Sequence, residues 1–373
     1  MILLWFNKEK FIAKSVVKKV RIRRIRLYNI EFPLARVYKV AYRDVTHIPL
    51  VVAVVNTEDR EVYGETYQRQ LFWEPKQDPW EFCIGIAPYL IGLDVDGAKE
   101  KVLSSPLCFP RSSQGLLTAL DQLLEPEIFS IEGSISVPLV GTVMSFDDDG
   151  IRKDVSILLE KGYRTLKVKV GFELEADLKR IELIQGLIGN KAVIRVDANQ
   201  GYTFEEAEEF VKSVDPGSIQ LFEQPFGVTK WDEMARLNLL SPVPLMLDES
   251  IYNEEDINRT ITLNCASYVK LKLIKCHGYS RLKEIIKYGQ QKGLRVVLGN
   301  GASADLSCLF ETLMVNKLLI DAGENNGFLK ISGGLLRDQL GFKDGNIVIP
   351  DGFQVGLNSE VLKSHAVDAR DYY

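Results

Sequence analysis

The sequence predicts an α/β protein: a closed TIM-type (β/α) barrel covered by a smaller α+β domain. Three observations carry this. From Ser134 onward, short apolar runs of strand character alternate with amphipathic helical stretches. Eight such runs fit within about 190 residues, which favours a closed barrel over an open doubly wound sheet. Neither GxGxxG nor GxxxxGKS occurs, so the glycine-rich nucleotide turn common in open sheets is missing.

Along the chain, residues 1–19 read as a basic extension. From Lys8 to Arg26 Glu9 is the single acid, which suits a solvated tail running into a first edge strand. RIRRIRLYNIEF alternates charged and apolar residues with the period of a half-buried strand. IPLVVAVVNTEDREVYGETY continues as a strand, a polar turn at 57–60 and a second strand ending in Gly64 and Glu65. Helical patterns follow at 79–90, 96–102 and 116–124, so residues 20–130 are expected to form an α+β capping domain.

The barrel is expected at residues 131–331. Its strands read as 135–140, TLKVKV, AVIRVD, SIQLFE, PLMLDE, SYVKLK, LRVVLG and KLLIDA. Between them, Leu174–Ile188 carries its apolar residues at helical spacing, and Thr203 with Glu206 forms a capping box for the next helix. Residues 332–373 return to turns and short strands. This tail is too short to fold alone and is expected to pack back on the capping domain.

Composition bounds the function. At 373 residues the chain is long enough for a barrel of roughly 250 residues plus a domain of about a hundred. A net charge of only -5 gives no global basic field to draw in nucleic acid. The 5 cysteines form no CxxC pair and no zinc-type spacing, which implies a reducing compartment. MILLWF is too short for a signal-peptide core, and no apolar run of about 18 residues follows, so a cytoplasmic protein without a membrane span is expected.

The ends of successive strands carry Lys167, Lys169, Asp197, Glu223, Asp248 and Lys272. The three carboxylates recur about 25 residues apart, the length of one strand, one helix and two short loops. That spacing brings them side by side at the C-terminal rim of the barrel, where active sites of this fold lie. A lone acid at a strand end is ordinarily a loop residue or helix cap, but three at matched spacing fit the hard oxygen ligands of a magnesium-sized cation. Lys167 and Lys169 are two apart and share a strand face. Two neighbouring ammonium groups disfavour each other's charge, which suits the outer one, Lys169, to act as a base. Lys272 approaches from across the barrel, with Lys270 one step deeper on the same face and Lys275 in the following loop.

The KxK at Lys167 and Lys169, DAN at Asp197 to Asn199, EQP at Glu223 to Pro225, DES at Asp248 to Ser250 and KLKLIKCHG around Lys272 together resemble the muconate lactonizing enzyme subgroup of the enolase superfamily. The likeness covers nearly everything after residue 20 and implies a modified (β/α)7β barrel. By this resemblance Asp197, Glu223 and Asp248 are expected to bind Mg2+, with Mn2+ as a substitute, and Lys169 and Lys272 to be the acid/base pair. Lys167, Asn199, Asn300, Glu324 and Asn326 are the expected substrate contacts. The implied chemistry is removal of the proton alpha to a carboxylate, with the enediolate held by the metal, in a homo-oligomer such as a dimer or octamer.

The sequence departs from its relatives where substrate is chosen. DAGENNGFL carries Glu324 and Asn326 where dipeptide epimerases resemble an aspartate-x-aspartate-glycine pattern. His277 stands where many relatives have glycine, and either touches substrate or is an ordinary loop histidine. Asn300 and Ser303 either line the pocket or form, with Gly301, a turn in which Ser303 caps the next helix. Tyr42, Arg43, Phe72 and Trp73 lie in the loops expected to cover the barrel mouth. A racemase or epimerase of an N-acyl amino acid, dipeptide or related small carboxylate leads. Cycloisomerisation and o-succinylbenzoate synthase-type dehydration, a carbon-oxygen lyase reaction, are the alternatives, together with a non-enzymatic binding protein on a retained barrel.

Overall fold

The structure is a computed structural model that describes all residues except 1–19, 41–42, 70–75, 77 and 301. The basic extension and the loop residues Tyr42, Phe72 and Trp73 lie outside the described residues. Strands β1 (Arg24–Val40), β2 (Arg43–Asn56) and β3 (Glu61–Tyr67) form an antiparallel meander. Thr57 makes the tight turn between β2 and β3: its hydroxyl accepts the Arg60 N–H at 3.0 Å.

Helices α1 (Pro79–Ile86), α2 (Val95–Leu103) and α3 (Pro110–Leu124) cover one face of this sheet. Ile25, Leu27, Val51, Ala53 and Val55 from the strands pack there against Leu116, Leu117 and Leu120. Asp78 caps α1 by accepting the Trp80 and Glu81 N–H groups, with Pro79 at the first helical position. α3 begins earlier than its apolar pattern suggests, because Arg111, Ser112, Ser113 and Gln114 are buried polar residues. Their seat is the end of β3: Gln114 Nε2 donates to Glu65 O at 3.0 Å, and the Gly115 N–H to Thr66 Oγ1 at 2.8 Å. Backbone meets backbone at this crossing. A Cβ on Gly64 would lie 1.8 Å from Gly115 O.

The chain then forms β4 (Ile135–Pro138) and β5 (Val140–Val143), followed by α4 (Asp148–Glu160), β6 (Thr165–Lys169), α5 (Leu174–Ile188) and β7 (Val193–Asp197). α6 (Phe204–Ser213), β8 (Ile219–Glu223), α7 (Trp231–Leu240), β9 (Leu245–Leu247) and α8 (Glu254–Leu263) continue the alternation. β10 (Tyr268–Lys272), α9 (Tyr279–Gln291), β11 (Arg295–Gly299) and α10 (Asp305–Leu318) complete it. β5 to β11 form one parallel sheet in sequence order. Leu174–Ile188 is helical as its periodicity predicts, and Thr203 and Glu206 form the expected capping box.

Two strand expectations change. The run at 135–140 breaks at Leu139: β4 leaves the barrel to pair with the tail, and only β5 joins the parallel sheet. KLLIDA forms no strand. Lys317 and Leu318 finish α10, and closure falls to the residues after it. The Val140 N–H donates to Gly323 O at 2.9 Å and the Glu324 N–H to Leu298 O at 3.1 Å, so this segment bridges β5 and β11. Inside the ring, Leu221, Met246, Tyr268 and Val297 make a small apolar cluster of their own, distinct from the core outside the strands.

The tail contains β12 (Gly341–Lys343), β13 (Asn346–Ile349), α11 (Ser359–His365) and β14 (Ala366–Tyr372). β13 pairs with β4 at the barrel, whereas β14 pairs with β1 in the capping sheet. β1 is therefore an interior strand, in the order β14-β1-β2-β3, and not the edge its basic residues suggest. Opposite charge accounts for the difference: Arg24 Nε donates to Asp371 Oδ1 at 2.8 Å across the pair.

Glu65 is one of the side chains that tie the two units together. Ala304 occupies the N-cap position of α10 without a capping side chain of its own. Glu65 of β3 supplies it, accepting the Ala304 N–H at 2.6 Å and the Ser307 N–H at 3.1 Å. No described helix is long and apolar enough to cross a membrane.

Candidate active site

Parallel register places the charged strand ends on one level. Lys169 of β6 is in register with Asp197 of β7, and Asp197 with Glu223 of β8. Glu223 pairs in turn with Met246 of β9, two residues before Asp248. Lys272 ends β10 in register with Gly299 of β11. Alternation turns these side chains to one face, and the strands' right-handed barrel brings β10 opposite β6.

The loops after β7 and β8 hold non-glycine residues in the left-handed region: Asn199 at φ 43°, Gln200 at 70° and Gln224 at 41°. Their side chains repay that conformation with hydrogen bonds. Gln224 Oε1 accepts the Asp248 N–H at 3.0 Å, and Gln224 Nε2 donates to Ser250 Oγ at 2.9 Å, fixing the loop after β9 to the loop after β8. Asn199 accepts from Lys169 through Oδ1 and donates through Nδ2 to Glu249 Oε1 at 3.0 Å.

Each of the three carboxylates is held by lysines. Lys167 Nζ lies 2.7 Å from Asp197 Oδ2, 3.1 Å from Glu223 Oε2 and 3.0 Å from Glu324 Oε1. Lys169 Nζ, with its side chain 38% exposed, is 2.7 Å from Asp197 Oδ2. Lys270 Nζ donates to both oxygens of Glu223, at 2.6 and 2.7 Å, and to Glu324 Oε1 at 2.7 Å. Lys272 Nζ meets Asp248 Oδ2 at 2.5 Å, and Lys275 Nζ meets Asp248 Oδ1 at 2.9 Å.

Burial and these contacts set the protonation. Burial opposes the Lys167 ammonium, yet Asp197, Glu223 and Glu324 outweigh it and hold its pKa well above the usual lysine value. Burial likewise opposes the Asp197, Asp248 and Glu324 carboxylates, and the surrounding lysines more than reverse it, keeping all three below the usual range. Glu223 differs. Burial, followed by the Asp197 charge, pushes it up to about 7. Burial lowers Lys275, whereas Asp248 overcomes burial to raise Lys272.

Of the expected substrate contacts, Lys167, Asn199 and Glu324 join this network. Asn326 lies at its edge, donating through Nδ2 to Val140 O at 3.3 Å and leaving its buried Oδ1 without a protein partner. Asn300 is committed elsewhere: Nδ2 donates to Ser303 Oγ and Glu311 Oε2, both at 2.8 Å, and Oδ1 accepts the Ala302 N–H at 2.9 Å. Ser303 does not cap α10, since Glu65 does. His277 faces the capping domain, with Nδ1 at 2.9 Å from Ser113 Oγ and 3.6 Å from Cys108 Sγ.

Three contributors escape a reading of charges alone. Gln224 organises Asp248, Arg195 lies buried beneath Asp197 with NH1 donating to Ala322 O at 2.8 Å, and Gly299 makes room for two lysines. Each carried a signal. Gln224 sits within EQP, Arg195 shares the strand face of Asp197, and a glycine in a strand marks a close approach.

The donor set suits a hard divalent cation: three carboxylates on adjacent strand ends, with a positive group already bridging two of them, since Lys167 Nζ stands between Asp197 and Glu223. Among the described residues no three acidic, histidine or cysteine side chains converge on a closed cage, because ammonium groups lie between the carboxylates.

Known proteins resemble this chain in sequence and fold. The chain is 24% identical over 329 residues to N-succinyl-L-Arg/Lys racemase of Bacillus cereus, covering 84% of this chain and 89% of that protein. Its fold superposes on a dipeptide epimerase from Cytophaga hutchinsonii, complexed with Mg and the dipeptide D-Ala-L-Val, with TM-score 0.81 at 22% identity, covering 95% of this chain and 100% of that one. Muconate lactonizing enzyme from Pseudomonas fluorescens, complexed with muconolactone, superposes with TM-score 0.79 at 22% identity, covering 93% and 100%. A family model described as enolase C-terminal domain-like matches residues 151–362, more than half of the sequence and all of the strand ends that carry the lysines and carboxylates. The chain belongs to that family, among the muconate lactonizing enzyme-like proteins of the enolase superfamily.

Proposed function

We propose that the protein is a magnesium-dependent isomerase that removes and returns the proton alpha to a carboxylate, acting as a racemase or epimerase of an N-acyl amino acid or related acid. The observation that carries this reading is the placement of Lys169 on β6 and Lys272 on β10, on opposite sides of one ring of carboxylates. A lysine on each face, one as the neutral amine that takes the proton and the other as the ammonium that returns one, is what removal from one side and return from the other requires. Asp197, Glu223 and Asp248 would hold the magnesium ion. Bound there, it supplies positive charge beside the substrate carboxylate as the alpha-proton leaves.

The chain's own groups do the rest. Lys167 orients the substrate carboxylate and holds Asp197 ionised. Five lysines, at 167, 169, 270, 272 and 275, face the carboxylates of Asp197, Glu223, Asp248 and Glu324, so the mouth attracts an anion. Glu324 is already claimed by Lys167 and Lys270, which favours an acylated nitrogen over the free ammonium group of a dipeptide. The N-succinyl substrate named for the Bacillus cereus relative is of this acylated kind.

Incubation with Mg2+ in heavy water, using a panel of N-acyl amino acids and dipeptides, tests the reading. Deuterium is expected at the alpha-carbon of at least one acyl amino acid. Absence of exchange throughout, with no magnesium-dependent rise in melting temperature, overturns it.

A further inference from the structure

Lys270 stands apart from the other lysines of the barrel mouth. Its side chain has 0% exposure, so it lies out of reach of a molecule in the mouth. Both oxygens of Glu223 accept from its ammonium, at 2.6 and 2.7 Å, and Glu324 Oε1 accepts at 2.7 Å. The fold keeps space for it. On the neighbouring strand a Cβ at Gly299 would lie 2.7 Å from Lys270 Cδ and 2.9 Å from Lys272 Cε.

We propose that Lys270 is a built-in competitor of the divalent cation for Glu223, and that it keeps the resting site's magnesium affinity low. The inference rests on the assignment of Asp197, Glu223 and Asp248 as metal ligands. A cation at Glu223 would have to share it with, or draw it from, a buried ammonium that grips both its oxygens. An ammonium left beside Glu223 would repel the cation held there, and strongly, because little water screens the two charges. Glu324, the other partner of Lys270, offsets part of that repulsion. A bound substrate carboxylate offsets more, so metal and substrate enter together.

Magnesium is titrated calorimetrically into the parent protein, Lys270→Met, Lys270→Gln and Lys270→Arg without substrate, with folding followed by circular dichroism. Loss of the charge in Lys270→Met is expected to tighten magnesium binding on the order of tenfold or more. Lys270→Gln, which is neutral but polar, is expected to do the same should the methionine variant fail to fold. Lys270→Arg is expected to stay near the parent. A folded, neutral variant that binds magnesium no more tightly than the parent overturns the proposal while leaving the metal ligands in place. Absence of magnesium binding by parent and variants alike overturns the ligand assignment and the proposal together.

Discussion

The Glu65 carboxylate lies 2.6 Å from the backbone nitrogen of Ala304, so a strand of the capping sheet closes the N-terminus of a barrel helix. Glu65→Ala leaves the Ala304 and Ser307 N–H groups buried without an acceptor. The expected loss is about 2–3 kcal/mol of unfolding free energy, read by urea denaturation. Glu65→Gln keeps one acceptor and is expected to lose less. Equal stability of parent and alanine variant would rule out the cap.

Burial holds both Glu65 and Glu311 up at about 8 in the folded chain, against 4.5 for an ordinary glutamate. The folded state therefore keeps protons that the unfolded chain has already released across this window. The stability these groups contribute is fully present below about pH 4.5 and is lost as pH rises towards 8, on the order of 1 kcal/mol per pH unit for each. Glu311→Gln preserves the Asn300 hydrogen bond and removes one ionisation. The melting temperature of this variant is expected to fall less steeply between about pH 5 and pH 8 than that of the parent.

Lys169→Ala and Lys272→Ala separate the two faces of the site. Each is expected to lower turnover on the order of a thousandfold. Each is also expected to abolish deuterium exchange from one enantiomer of the substrate while sparing the other, read by NMR on the separate enantiomers. Retained exchange from both enantiomers in Lys169→Ala would remove this lysine from the chemistry.

Gly299→Ala inserts a methyl group against Lys270 and Lys272. Lysine stems can bend, so the melting temperature is expected to fall only by a few degrees. Displacement of Lys272 Nζ from Asp248 is expected to cost up to about a hundredfold in proton exchange. Activity unchanged by this substitution would show that the lysine seat tolerates a Cβ.

The barrel was legible because strand and helix periods differ and repeat, and because ligand-type carboxylates recur at the length of one βα unit. Leu174–Ile188 and the Thr203 cap needed no tertiary information. What escaped depends on distant partners. The buried polar start of α3 looks like a loop until Glu65 and Thr66 are placed against it. α11 and β14 carry weak local patterns and acquire their form from β1. At the site, Lys169, Lys272 and the three carboxylates announced themselves by position. The commitment of Asn300 to Glu311, and of both Glu223 oxygens to Lys270, arises from side chains meeting across the fold and leaves no periodic trace.

The pairing of β14 with β1 also sets an order of events. β1 leaves the ribosome just before β2, whereas its second neighbour, β14, follows the whole barrel. At roughly 5–20 residues per second, one flank of β1 waits on the order of half a minute with its hydrogen-bonding groups unmatched. Charge on an edge strand discourages pairing with other chains, and Arg24 keeps its charge open on that flank until Asp371 arrives to neutralise it.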